Sequence, residues 1–306
     1  IQKLAIVKKW YKIFLPLYPL AFESFNFDTY DLVISSTTRF AKAIITKPKT
    51  IHLCYINSSP RFLHKPEVLE DYLPKFTSIL LSPIFSWLKR WDKVSASRVD
   101  HYIANSNHVA SQVKRYYNRD AEVVYPFVDL EFFKPAKVHK WQLKSQNYFL
   151  VVSRIVKWKK IDIAIGACQD LGRNLIIVGE GPDKNRLQKI AVSNVQFLGR
   201  VTPDQLRELY QNAKALIVTQ EEDFGISAVE AQACGIPVIG YKSGGAIETV
   251  LDYETGLLFE NQTARSLKDA IEAASHVKWN VSACRKNAER FSKTDFIRGL
   301  KQALLP

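Results

Sequence analysis

Residues 222–250 read EDFGISAVEAQACGIPVIGYKSGGAIETV, with Glu222 and Glu230 on either side of Gly225. The apolar run before them, residues 215–219, predicts a strand. Glu222 then lies on the following loop, and Glu230 lies about one turn into a helix that begins near Gly225. The free N–H groups and dipole of a helix start favour an anion, and glycine lets the backbone approach it closely. The stretch predicts a phosphate site with a carboxylate on either side, although glutamates at this spacing are also common on solvated helix surfaces.

The second half of the chain alternates strand-like and helix-like runs. This alternation predicts an α/β fold with a doubly wound parallel sheet. Ligands of such sheets bind at the carboxyl ends of the strands, where the loops carrying Arg154, Gly179, Glu222 and Gly244 would gather. The predicted strands are residues 148–153, 174–179, 195–198, 215–219 and 237–240, and the predicted helices are residues 161–168, 184–191, 203–212 and 226–233.

The first half shows the same pattern more faintly, and the length of 306 residues with 47% hydrophobic residues suits two domains with separate cores. Residues 123–135, VVYPFVDLEFFKP, contain two prolines and read as the linker between them. Predicted elements of the first half are strands at residues 31–35, 50–55 and 101–104 and a helix at residues 108–117. The predicted division is a first domain of residues 1–134, a second domain of residues 135–292 and a terminal helical segment of residues 293–306.

The net charge of +13 is concentrated in the first half, where residues 1–140 contain 21 Lys and Arg against 12 Asp and Glu. A basic surface attracts phosphate-rich partners, but charge alone does not choose among nucleic acid, anionic lipid and lipid-linked diphosphates. Residues 73–96, LPKFTSILLSPIFSWLKRWDKVSA, combine apolar and aromatic side chains with Lys89, Arg90 and Lys93, which suits a membrane interface. A core helix with a basic solvent edge explains the same residues, so both interpretations stay open.

The cysteines predict neither a disulfide framework nor a zinc site. They stand far apart without a CxxC spacing, so reduced thiols are expected. The apolar runs are too short or too interrupted to span a bilayer, and the N-terminus does not read as a signal peptide. We expect a cytoplasmic protein that can lie peripherally on the inner face of the plasma membrane. The four cysteines are Cys54, Cys168, Cys234 and Cys284.

The chain resembles the retaining GT-B glycosyltransferases of family 4, the glycosyl transferases group 1, whose signature is a Glu, seven residues and a second Glu. The resemblance implies two Rossmann-like domains facing across a cleft, with a terminal helix that crosses back to the first. It also implies that Glu222 contacts the donor sugar and Glu230 the ribose of the nucleotide. Further shared strings are Phe224-Gly225-Ile226, Gly235-Ile236-Pro237-Val238, Gly244-Gly245 and Thr255-Gly256-Leu257-Leu258-Phe259.

First domains of this family open with a strand and a glycine-rich loop. This chain begins at Ile1, already close to later units, and contains no methionine. We therefore expect its N-terminal domain to be truncated. The strings DLVISS, CYINSSPRF, RVDHYIANS and YKSGGAIETV are most similar to bacterial mannosyltransferases of the family that build surface polysaccharides.

Arg154 and Lys159 follow a predicted strand in the string SRIVKWKKID. A planar guanidinium and a compact ammonium suit a diphosphate, because both stabilise the charge that builds on a leaving phosphate. Cations are common on loops, but the resemblance implies this catalytic role for these two residues, together with Glu222. The donor-binding residues that it implies are Gly179, Gly181, Arg200, Val201, Phe224, Gly225, Ile226, Glu230, Gly244 and Gly245.

The first domain is expected to supply the acceptor side through Asn57, Arg61 and Asn105. Asn57 stands where the family usually has a histidine, and an amide can hold a hydroxyl without acting as an acid or base near neutral pH. His52 is a substitute, although a histidine on an apolar strand is more often structural. Arg61 can meet an acceptor phosphate, and Asn105-Ser106 also reads simply as the cap of the following helix.

The resemblance implies a retaining hexosyltransferase, and with Arg154 and Lys159 available for the diphosphate we expect it to need neither a metal nor another cofactor. We expect it to move mannose from GDP-mannose to a glycan or a polyprenyl-diphosphate-linked acceptor at an anionic membrane surface. Alternatives are a UDP-sugar donor, a sugar-nucleotide epimerase or hydrolase, and a non-catalytic module that binds sugar nucleotides. A nucleic-acid-binding protein is supported by the charge alone, so nucleic acid is not an expected partner.

Overall fold

The structure, a computed structural model, describes residues 15–65, 68–69, 75–136 and 147–304. The chain divides into two compact units, Ile1–Val124 with Ala303–Pro306, and Tyr125–Gln302. The boundary therefore falls ten residues before the predicted one at residue 134. Residues of the predicted linker pack with the second unit, because Val128 and Phe133 belong to its apolar clusters.

The first unit contains a parallel sheet of four strands in the order β1-β2-β3-β4. Its strands are β1 (Leu32–Thr37), β2 (Ile51–Ile56), β3 (His101–Ala104) and β4 (Glu122–Val123). Its helices are α1 (Tyr18–Glu23), α2 (Arg61–His64), α3 (Lys75–Leu80), α4 (Ser82–Ser95) and α5 (Asn107–Tyr117), with 3-10 turns at Leu15–Leu17, Ala41–Ala43 and Ala96–Arg98.

The second unit contains a parallel sheet of six strands in the order β10-β9-β8-β5-β6-β7. Its strands are β5 (Tyr148–Val152), β6 (Asn174–Val178), β7 (Val195–Gly199), β8 (Leu216–Val218), β9 (Val238–Tyr241) and β10 (Gly256–Phe259). The helices are α6 (Ile161–Asp170), α7 (Lys184–Ile190), α8 (Pro203–Asn212), α9 (Ile226–Ala233), α10 (Ala246–Thr249), α11 (Ala264–Ser275), α12 (Val281–Glu289) and α13 (Lys293–Ala303), with a 3-10 turn at Lys157–Lys159.

Strand β5 shows why this sheet is covered on both faces. Phe149 and Val151 pack into one apolar cluster, whereas Tyr148 and Leu150 pack into the other. Successive side chains of a strand point to opposite faces, so two apolar clusters require a continuous apolar strand. The doubly wound arrangement predicted from the sequence is confirmed, and the predicted elements end within two residues of the observed ones.

The sheet order fixes where the strand ends can hold a ligand. The chain winds outward from β5 through β6 to β7, and then starts again on the other side of β5 with β8. The loops after β5 and β8 consequently diverge and leave a crevice at the carboxyl edge, which is the ligand position of doubly wound sheets. The helices of the described ranges include none that is both long enough and apolar enough to cross a membrane.

Candidate functional site

Lys159 and Glu222 meet at this crevice, one on the loop after β5 and the other on the loop after β8. Lys159 Nζ lies 2.6 Å from Glu222 Oε1, and the two side chains are 11% and 18% exposed. The same carboxylate oxygen accepts a hydrogen bond from Gln220 Nε2. The ammonium also lies 4.3 Å from the centre of the Trp158 ring. The structure thus joins two of the three predicted catalytic side chains in one partly buried pair.

Arg154, the third predicted catalytic residue, lies on the same loop as Lys159 and is exposed. Its position is fixed by its neighbours, since Ser153 N–H donates to Val178 O and Ile155 N–H donates to Glu180 O. The guanidinium therefore projects from a loop that is hydrogen-bonded to the loop after β6.

The glycine loop after β9 packs directly against the Glu222 loop. A Cβ on Gly244 would lie 2.2 Å from Glu222 O, and a Cβ on Gly245 would lie 2.2 Å from Phe224 O. Gly245 N–H donates to Glu222 O at 2.9 Å. The two glycines are needed here because only a residue without a Cβ permits this contact between backbones. They hold Glu222 at the carboxyl edge of the sheet.

Gly225 begins helix α9 in the left-handed region, with φ of +92°. This conformation is costly for other residues, so the glycine allows the sharp turn between the Glu222 loop and the helix. Phe224 is buried beside it, whereas Ile226 is 45% exposed. Helix α9 therefore starts at Gly225, beside the Glu222 loop, as the sequence predicts.

Glu230 lies in α9 and accepts a hydrogen bond from Tyr210 Oη at 2.9 Å. Tyr210 is fully buried, and its ring packs against Phe133. Burial raises the pKa of the Glu230 carboxyl to about 7, while the hydrogen bond from Tyr210 acts in the opposite direction. Glu230 is therefore a carboxyl group held in one orientation, and it changes charge near neutral pH.

Gly179 and Gly181 serve contacts within the protein. A Cβ on Gly179 would lie 1.9 Å from Ser153 O, and one on Gly181 would lie 2.0 Å from Ile155 O. Gly179 also has φ of +134°. The close packing of the loops after β5 and β6 explains both glycines. The sequence prediction assigned them to the nucleotide and did not include this packing.

Arg200 and Val201 line a cavity of about 450 Å³ beside α8. Its walls are partly apolar, with Leu198 and Leu209, and its polar groups include Gln205 and Glu208. The complete lining is Tyr148, Leu198, Arg200, Val201, Gln205, Glu208, Leu209 and Asn212.

Two of the three predicted acceptor-side residues are linked within the first unit. Asn57 Nδ2 donates to Ser36 Oγ at 3.0 Å, and Asn105 Nδ2 donates to Asn57 O at 2.9 Å. Arg61 begins helix α2. Ser106, next to Asn105, caps α5 by accepting a hydrogen bond from Val109 N–H at 3.0 Å. The strand ends of β2 and β3 therefore meet at this position, as expected for a parallel sheet.

His52 is fully buried in β2, with its Nε2 2.8 Å from Ser35 Oγ. Burial lowers the pKa of the imidazole to about 4. The ring is therefore a neutral core residue, which agrees with the structural interpretation of this histidine and removes it as a substitute for the family's histidine.

Sequence reasoning missed three side chains that shape the site, namely Gln220, Tyr210 and Trp158. Gln220 directly follows a predicted strand and stands two residues before Glu222, so its position offered a signal. Tyr210 lies on the inner side of α8, where an aromatic side chain reads only as core. Trp158 adjoins Lys159, but nothing in the sequence shows that its ring faces the ammonium.

Residues 134–291 match the family described as Glycosyl transferases group 1, and residues 7–132 match Glycosyltransferase Family 4. The first match covers more than half of the chain, so the chain belongs to the glycosyl transferases group 1 family.

The curated relatives that this chain resembles are named for several different glycosyltransferase activities. A D-inositol 3-phosphate glycosyltransferase of Mycobacteroides abscessus is 33% identical over 193 residues, which are 56% of this chain and 43% of the relative. A GDP-mannose-dependent alpha-(1-6)-phosphatidylinositol monomannoside mannosyltransferase of Mycobacterium tuberculosis is 28% identical over 214 residues, 58% of this chain and 56% of the relative. The chain spans about half the length of the curated relatives it matches.

Solved structures with the same architecture include the sucrose-phosphate synthase of Thermosynechococcus elongatus, with a TM-score of 0.73 and 20% identity over 95% of this chain and 77% of that one. HepE of Anabaena, solved in complex with UDP-glucose, has a TM-score of 0.66 and 20% identity over 90% of this chain and 77% of that one. At such identities the likeness shows the fold, which is the GT-B fold.

Proposed function

We propose that this chain is a hexosyltransferase whose second unit binds a nucleotide diphosphate sugar at the crevice between the loops after β5 and β8. The observation that carries the proposal is the pairing of Lys159 with Glu222 at that crevice. A lysine can bind phosphate and a carboxylate can bind sugar hydroxyls. Lys159 would therefore bind the diphosphate of the donor, and Glu222 would bind its sugar.

Three further features of the second unit support a binding mode for the rest of the donor. Glu230 holds the ribose hydroxyls, because its carboxylate is already oriented by Tyr210. The start of α9 and the glycine loop at Gly244 and Gly245 offer backbone groups to the diphosphate. The cavity lined by Arg200 and Val201 takes the base, since its partly apolar walls suit a flat ring system.

The chemistry follows from where charge develops. When the bond between the sugar and the diphosphate breaks, negative charge builds on the leaving phosphate oxygens. Lys159 and Arg154 stabilise that charge, and Glu222 orients the sugar. The acceptor oxygen forms the new bond on the face that the diphosphate leaves, and the leaving phosphate takes the acceptor proton. This same-face reaction retains the anomeric configuration and uses these cations in place of a metal ion.

GDP-mannose is the preferred donor. The name of the Mycobacterium tuberculosis relative supports it, as do the sequence strings that resemble mannosyltransferases. A UDP-sugar is the second candidate, favoured by the UDP-glucose in the HepE structure. The proposed acceptor is a glycan or a polyprenyl-diphosphate-linked sugar in surface polysaccharide synthesis, which places the reaction at the inner face of the plasma membrane. Asn57, Arg61 and Asn105 are the proposed acceptor-side residues.

Isothermal titration with GDP, UDP and their sugars tests the donor site. Lys159→Ala should weaken binding of the preferred nucleotide diphosphate at least tenfold, because a charge-assisted contact is lost. Lys157→Ala is the matched control, since this exposed lysine belongs to the same 3-10 turn. Equal affinity of the wild type and Lys159→Ala would refute the site. Preference for GDP over UDP supports the mannosyl donor, and the reverse preference selects the alternative.

NMR of the products separates the remaining functions. A transferase gives an acceptor product whose anomeric signal keeps the donor configuration. An epimerase or hydrolase converts the donor without an acceptor, and a binding module leaves it unchanged.

A further inference from the structure

The exposed side of helix α4 has a composition that core packing does not explain. Its inner side is accounted for, because Leu88, Asp92 and Ser95 are buried. On the outer side, Trp87 is 48% exposed and Val94 is 63% exposed. These two residues stand seven positions apart and therefore lie in one line along the helix.

Two further apolar side chains near the start of α4 are exposed. Ile84, three residues before Trp87, is 37% exposed, and Leu80, at the end of α3, is 70% exposed. The indole of Trp91, in contrast, donates to Glu23 Oε1 at 2.9 Å and packs with the core residue Phe40. The outward apolar line is thus separate from the aromatic core beneath the helix.

Three cations stand on the exposed side of α4: Arg90 and Lys93 lie next to the apolar line, and Lys89 lies at the opposite flank. Lys89, Arg90 and Lys93 are all exposed. Lys89 and Lys93 are one turn apart, and Arg90 lies three residues before Lys93, so the charges form a second line along the helix. The exposed side of α4 carries no acidic residue, because its one aspartate, Asp92, is buried with Lys42 and Tyr117.

From this arrangement we infer that the outer side of α4, defined by Ile84, Trp87, Lys89, Arg90, Lys93 and Val94, docks onto an anionic lipid surface. An interfacial helix buries an apolar edge among the acyl chains and keeps its cations at the headgroups, and tryptophan is favoured at that depth. A nucleic-acid surface would use the same cations but gains nothing from exposed valine and isoleucine. The excess of Lys and Arg over Asp and Glu in residues 1–140 adds to the attraction for an anionic lipid surface.

Flotation of the full chain with vesicles tests this inference independently of any transfer activity. The vesicles contain phosphatidylcholine alone or phosphatidylcholine mixed with phosphatidylglycerol. The wild type should bind the anionic vesicles, fail to bind the neutral ones, and lose affinity as salt screens the charges.

Two variants separate the cations from the apolar line. Lys89→Gln/Arg90→Gln/Lys93→Gln should weaken binding to anionic vesicles on the order of 100-fold, since each cation near such a surface is worth about 1 kcal/mol. Trp87→Ser/Val94→Ser should weaken it by roughly tenfold or more without changing the charge. All these positions are exposed, and an unchanged melting temperature verifies that each variant folds.

The matched control removes three exposed cations from the second unit, as Arg265→Gln/Lys278→Gln/Lys286→Gln. Its net charge equals that of the α4 triple variant, so it should retain most of the vesicle binding. An equal loss in the control and the α4 variant would overturn the inference, as would full binding by Trp87→Ser/Val94→Ser. It would also be overturned if the α4 triple variant lost binding to duplex DNA and kept vesicle binding.

Discussion

Replacing Glu230 by glutamine should remove a pH dependence of stability that the wild-type protein carries. Burial raises the pKa of this carboxyl from 4.5 to about 7 in the folded protein. The folded state therefore holds the proton more tightly than the unfolded chain does. The stabilising contribution is complete below pH 4.5 and is lost as the pH rises through about 7.

The magnitude follows from the difference between the two pKa values. One pKa unit corresponds to about 1.4 kcal/mol, so the shift corresponds to roughly 3 kcal/mol of unfolding free energy. For a unit of the size of residues 125–302, that loss lowers the melting temperature by roughly 6–12 °C. Glutamine keeps the shape and can still accept the hydrogen bond from Tyr210, but it remains neutral at every pH.

Thermal unfolding of the wild type and Glu230→Gln at pH 5 and pH 8, at constant ionic strength, measures the difference. The variant should be the more stable protein at pH 8, and the gap should close at pH 5. Parallel curves over this range would refute the argument. Tyr210→Phe gives a second check, because it removes the hydrogen bond that favours the charged carboxylate. The midpoint of the pH dependence should then move upward, whatever the general cost of altering a buried tyrosine.

Two further predictions concern the loops at the crevice. A double-mutant cycle of Lys159→Met and Glu222→Gln, followed by urea unfolding, should give a coupling free energy of about 1–3 kcal/mol, since either single change leaves a poorly solvated charge without its partner. Strict additivity would contradict the observed pair. Gly179→Ala should destabilise the protein by more than about 2 kcal/mol, because the added Cβ would meet Ser153 O in a conformation with positive φ. Gly172→Ala is the matched control, because Gly172 also has positive φ but open space around the added Cβ. Its cost should be about 1 kcal/mol. Equal losses of stability in the two variants would disprove the role given to the contact between Gly179 and Ser153.

Much of the fold was predictable because it rests on local periodicity. Short apolar runs separated by amphipathic ones predicted β5 to β9 and the helices between them. The sequence prediction did not include α11 and α12. The two compact units divide ten residues before the predicted boundary, because Val128 and Phe133 of the predicted linker are packed in the second unit. The two family matches divide between residues 132 and 134, at the predicted boundary.

The sequence predicted that Lys159 and Glu222 each follow a strand, and the structure brings their side chains together, but several contacts of the predicted residues were not predictable. The sequence assigned Gly179 and Gly181 to nucleotide binding. The contacts that require a glycine at these positions are instead with the backbone of Ser153 and Ile155. The spacing between Glu222 and Glu230 pointed to Glu230 as a donor-binding residue. The raised pKa of Glu230 depends on its burial beside Tyr210, which the spacing does not reveal.

The sequence by itself determined that the second half is a doubly wound parallel sheet and that Glu222 follows a strand and precedes a helix, because both depend on the order of polar and apolar residues along the chain. Only the tertiary structure decided that Lys159 meets Glu222, 63 positions away. That contact exists because β8 pairs with β5 on the side opposite β6. The physical reason is that the type of each element is set locally, whereas the neighbour of each strand is set by how the whole sheet buries its two apolar faces.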